Sequence, residues 1–267
     1  MWRRSTGVLA IAAALVAAGC SEPAVRVHYR FPQGQQLTYR WVVEASTTSD
    51  AAGGTTTQRL RMTLDAQESV VTPQPGGGAT LRLVLTPVRL VRDGRNHDPG
   101  PPVEAELDVA PTGRLQKILQ AADLPPEAVA ALDLDRLLAQ TRPLLPPGPV
   151  KLGDRWPTPL TSKTGQSSID LEGEGRLAAF SLREGKRLAR VETNRHGNIR
   201  SEQNVGPDSV LLDGGSRVSS TAFVDLDRGV LVEEVSRSVS RFDLSVGEAG
   251  SAGTIVVHLS TRASLQG

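Results

Sequence analysis

Polar and apolar residues alternate singly over most of this chain. In residues 58–66 (QRLRMTLDA) Leu60, Met62 and Leu64 fall on one face, with Arg59, Arg61 and Thr63 on the other. Residues 79–88 (ATLRLVLTPV) place Leu81, Leu83 and Leu85 together. Residues 215–229 and 230–247 read as two long strands joined by a tight turn at Asp227, Arg228 and Gly229, and residues 254–265 read as a last strand. Period-two alternation with one polar face predicts antiparallel sheet wetted on one side. The stretches between the runs (DAAGG, PQPGGG, RDGRNHDPGPP, LREGK) carry the Gly, Pro and Asp that turns require.

The middle of the chain departs from this pattern. Leu115, Ile118, Leu119 and Ala122 have helical spacing, and after Pro125 and Pro126 a second stripe follows at Ala131, Leu134, Leu137 and Leu138. Pro143, Pro146, Pro147 and Pro149 then favour an extended connector. The expected fold is therefore mostly β, an antiparallel sheet with one or two short helices inserted near residues 113–141. Two geometries fit: one curved, half-barrel sheet with the helices plugging its concave face, or two small β-domains joined by the helical, Pro-rich segment. The first is favoured, because each half alone would bury a thin core.

The two halves share features. Gly34 precedes an apolar strand as Gly153 does, and "ELDVAPTGRL" (106–115) resembles "FVDLDRGVL" (223–231) in reaching an acidic strand end and a Gly restart. Internal duplication and the recurrence of common hairpin chemistry account for this equally well. The expected organisation is a signal peptide over 1–19, a lipidated cysteine and short tether over 20–24, a first β-rich half over 25–112, a connector over 113–150 and a second β-rich half over 151–267.

The N-terminus sets an address. Arg3 and Arg4 precede an uncharged apolar run from Gly7 to Ala18, too short for the roughly 20 residues of a membrane span, and Ser21, Glu22 and Pro23 end it. Ala17-Ala18-Gly19-Cys20 resembles the lipobox of bacterial lipoprotein precursors, and Cys20 is the only cysteine of the 267 residues. The resemblance implies acylation of Cys20 and cleavage before it. Several buried acyl chains, at about 0.8 kcal/mol per methylene, would hold the protein to a membrane. Ser21 after the cysteine implies sorting to the outer membrane, facing the periplasm. A second segment, "LPPGPVKLGDRW" (145–156), is similar to a Val-x-x-Gly-Asp-x-Trp segment of uncharacterised bacterial lipoproteins, which supplies no catalytic residue. The curved-sheet geometry itself resembles that of envelope lipoprotein carriers.

Composition narrows the function further. Thirty Lys and Arg balance 29 Asp and Glu, so nucleic acid is not an expected partner. Without further cysteines the fold must rest on a packed core, and with 3% aromatics that core must be Val, Leu and Ala. The four histidines (His28, His97, His196, His258) show no metal-ligand spacing. Ala249-Gly250-Ser251-Ala252-Gly253 misses Gly-x-Ser-x-Gly and reads as a hairpin loop, and Gly76-Gly77-Gly78 lacks the Lys-Ser/Thr of a phosphate loop. Asp225, Asp227 and Gly229 resemble a calcium loop, but Ser236 stands where the bidentate acid belongs. No catalytic residue, metal or cofactor is expected. Two functions remain: a non-catalytic interaction or structural lipoprotein, exposing polar faces such as Arg59, Arg61, Arg237 and Arg241 to an envelope partner, or a carrier of a lipid or other hydrophobic ligand. A carrier pocket would be lined by Leu60, Met62, Leu64, Leu81, Leu83 and Leu85.

Overall fold

The computed structural model describes residues 23–51, 53–121, 142–164, 167–205, 208–246 and 251–266. Cys20, the signal segment and most of the expected helical insert, residues 122–141, lie outside them. The first half forms β1 (Gln36–Ala51), β2 (Gly54–Pro73), β3 (Ala79–Arg92), β4 (Arg95–His97), β5 (Val103–Val109) and β6 (Leu115–Ala121). The second forms β7 (Arg155–Pro157), β8 (Leu160–Thr164), β9 (Ser167–Arg183), β10 (Lys186–Val205), β11 (Asp208–Asp225), β12 (Val230–Val246) and β13 (Ser251–Leu265). Among the described residues there is no helix.

All thirteen strands of the described residues belong to one open antiparallel sheet, ordered β6-β5-β3-β2-β1-β13-β12-β11-β10-β9-β7, with β4 beside β3 and β8 beside β9. Each half is a meander, and the two join where β1 pairs with β13, from Tyr39 opposite Leu265 to Ala51 opposite Gly253. The main core takes side chains from β1, β2, β3, β5, β7, β9, β10, β11 and β12 together. Residues of both halves thus meet in one core, so the sheet coils round its own inner face. Edge strands β6 and β8 line one groove, with Ile118 and Leu160 among its walls.

One expectation is corrected. The helix predicted from Leu115 is strand β6 over its described part. Its helical spacing is absorbed by register shifts between β5 and β6, so that Leu115 faces Val109 and Ile118 faces Leu107. An inserted residue lets positions three apart on β6 oppose positions two apart on β5, while Leu119 is left exposed. The free edge of β5 offers backbone partners that a short helix would leave unmet. The first regular strand starts at Gln36, and before it Val25 forms only an isolated bridge with Val150. The segment before β1 is a strap held by turns from both halves. The Tyr29 amide donates to the Pro111 carbonyl and the Arg30 amide to the Gly229 carbonyl, each at 2.9 Å.

Tight coiling selects small residues. A Cβ on Gly214 would lie 1.9 Å from the Arg241 carbonyl oxygen, and one on Gly173 2.1 Å from that of Asn194. Trp156 lies over Gly175, its register partner on β9, and donates from Nε1 to the Leu144 carbonyl at 2.8 Å.

Candidate functional site: a buried polar band

A bulge in β12 decides what fills the interior. Val224 faces Leu231, but Phe223 faces Glu233, so one residue of β12 is unmatched. Val230 and Leu231 are buried beside it, and from there the phase inverts: Glu234, Ser236, Ser238, Ser240 and Phe242 point inward. Val235, Arg237, Val239 and Arg241 point out. A one-residue slip exchanges the faces of a strand, and here it turns a polar set into the core.

The inward serines join Thr193 and Arg195 of β10 and Ser216 of β11 in a buried band between two apolar clusters. The second cluster holds Ile169, Leu171, Ile199, Val218 and Phe242. Ser240 donates to Ser216 at 2.9 Å, and Arg195 donates from Nε to the Thr158 carbonyl at 2.9 Å. Burial raises the Glu234 carboxyl to about 7, against the opposing pull of Arg195, a hydrogen bond with Ser220 and the charge of Arg142. Burial also lowers the pKa of Arg195.

A second charged pair lies in the main core. Arg142 bonds Glu68, both side chains about nine-tenths buried. The Arg142 guanidinium stands 5.1 Å from the Tyr29 ring centroid and 5.5 Å from that of Phe31. Burial is the largest influence and works to lower its pKa, but the Glu68 charge and hydrogen bond, with Tyr39 and Tyr29, together outweigh it and the net shift is upward. Tyr29 donates to the Pro143 carbonyl at 3.3 Å, and its phenol, like that of Tyr39, is pushed up by burial. Arg142 thus pairs with the Glu68 carboxylate, and the Arg195 charge offsets part of the burial of Glu234, which limits the cost of both. The space that Glu68 and Arg142 border, lined also by Tyr39, Trp41, Leu81, Leu83, Leu107 and Leu231, measures about 20 Å³. That is room for one water molecule.

The proposed carrier lining is not gathered round one cavity. Leu81 and Leu83 border this small space, and Leu60 borders a separate groove of about 480 Å³ beside Arg59, Arg61 and Arg237. Met62, Leu64 and Leu85 are buried in the main core, where each contributes roughly 1.5–3 kcal/mol. Among the described residues no three of His, Cys, Asp and Glu stand together as a metal site. Glu68, Glu234, Arg142 and Arg195 were not singled out from sequence. The inward position of Glu234 becomes visible only once the bulge is known, whereas Glu68 already falls in phase with Leu60, Met62 and Leu64.

No protein-family model and no curated protein matches the chain. Among solved structures it is matched, at 9% identity and a TM-score of 0.20, with DynF from the dynemicin biosynthesis pathway of Micromonospora chersina, over 97% of this chain and 92% of that one. The site is therefore read from its own geometry.

Proposed function

We propose that the protein is a bacterial envelope lipoprotein, anchored through acyl chains on Cys20 to the outer membrane and facing the periplasm, and that it acts as a non-catalytic interaction or structural module. The observation that carries the non-carrier reading is the filled interior. Met62, Leu64, Leu81, Leu83 and Leu85, which a carrier would need, are packed into a core whose adjoining space holds about 20 Å³, against the 300–1,000 Å³ usual for ligand pockets, and Leu60 alone borders the open groove. We read the sheet as a half-barrel closed on itself by this core. An internal duplication also fits: Gly34 and Gly153, and Gly113 and Gly229, all take positive φ at corresponding turns.

Mass spectrometry of the protein from native membranes tests the anchor, with residues 1–19 expected to be absent and lipid mass expected on Cys20. Native mass spectrometry of the chain from residue 20 onward, carrying Cys20→Ser, tests the module. The expected species is the bare protein. Co-purifying lipid that disappears in Leu83→Asp would replace this reading with that of a carrier.

A further inference from the structure

The outer face of the sheet segregates charge. In register, Arg61 of β2 faces Glu44 of β1, Glu44 faces Ser260 of β13, and Ser260 faces Arg237 of β12. One row further, Arg59 faces Ser46, Ser46 faces His258, His258 faces Val239, and Val239 faces Arg217 of β11. Arg262 lies opposite Val235 and Arg241 opposite Val256. Six arginines and one histidine thus share a patch roughly 20 Å on a side. Between β2 and β11 Glu44 is the one carboxylate in these rows, and it already contacts Arg61 at 3.4 Å; at their edge Asp93 accepts from the Arg59 amide at 2.7 Å.

Elsewhere the sheet sets arginine against acid, as in Arg40–Asp65, Arg82–Glu104, Arg155–Glu174 and Arg176–Glu192. Within the patch, Arg217, Arg237, Arg241 and Arg262 are exposed and face Val239, Ser260, Val256 and Val235 across the neighbouring strands. Like charges left side by side on a sheet cost stability. The whole chain is near neutral, so the cluster is not a by-product of a basic composition. Val239, 45% exposed, stands at its centre.

We propose that this face docks on the anionic headgroup layer of a phospholipid membrane. Opposite charge supplies the attraction, about 1 kcal/mol per arginine near such a surface. The sheet presents the arginines as one continuous face, with an apolar residue among them. The tether keeps a membrane within reach: five steps from Cys20 to Val25 span at most about 18 Å. That last point rests on the anchor reading; the patch itself does not.

The chain from residue 20 onward, carrying Cys20→Ser, is sedimented with vesicles of phosphatidylcholine alone or with one third phosphatidylglycerol. Binding is expected only to the anionic vesicles, and it should weaken as salt is raised. Arg237→Glu with Arg241→Glu should reduce affinity by about tenfold or more. Lys151→Glu with Lys186→Glu, the same change of charge outside the patch, should leave most of it. Absence of binding to anionic vesicles, or equal loss in both double variants, would overturn the proposal. Because this chain has no acyl group, the result is independent of whether Cys20 is acylated in the cell.

Discussion

Burial brings the titration of Glu234 into the neutral range. Its folded pKa of about 7 lies above the ordinary value of 4.5. The folded state therefore holds the proton more tightly than the unfolded state over that interval. The contribution to stability is fully present below pH 4.5 and is lost as pH rises to 7, after which it stays constant. The span corresponds to something on the order of 3 kcal/mol. Urea titrations from pH 4.5 to 8 should show this loss in the native sequence and a flatter profile in Glu234→Gln. Parallel profiles for the two proteins would place the buried titration elsewhere.

At the scale of elements, glycine and tryptophan cooperate where β7 meets β9. Trp156 packs over Gly175 so closely that a Cβ there would come within 2.6 Å of the indole. Gly175→Val should push the ring out, break its bond to the Leu144 carbonyl and destabilise the protein by about 2–4 kcal/mol, in the range of overpacked cores and lost buried hydrogen bonds. Near-ultraviolet circular dichroism and the melting temperature report both effects. Gly94→Ala, whose Cβ would meet nothing within 4 Å, is the contrasting variant. Its positive φ of 79° makes it costly through backbone strain, but the tryptophan signal should not move.

For the whole molecule, the β1–β13 ladder and the shared core make the two meanders interdependent. Proteolysis within residues 142–152 should leave two pieces that migrate together in gel filtration and separate only in denaturant. Thermal unfolding of the uncut chain should follow one transition by both circular dichroism and fluorescence. Two pieces that each stayed folded after separation would show that the halves are domains in their own right.

The strands, their alternation and the turns between them were legible in the sequence because each rests on neighbours a few residues apart. Leu60, Met62 and Leu64 do share a face with Leu81, Leu83 and Leu85, as period two requires. The outward positions of Arg59 and Arg61 followed from the same rule, whereas those of Arg237 and Arg241, in phase with Val235 and Val239, came with the bulge in β12. The strand identity of residues 115–121 did not, since their helical spacing becomes compatible with a sheet only through shifts against β5. Nor did the inward course of Glu234 and the serines, because Val235 and Val239 look like the buried members of β12 until the bulge reverses the phase. Local alternation fixes which residues share a face. Which face turns inward, and which charges meet across strands far apart in the chain, is decided by register, a property of the assembled sheet alone.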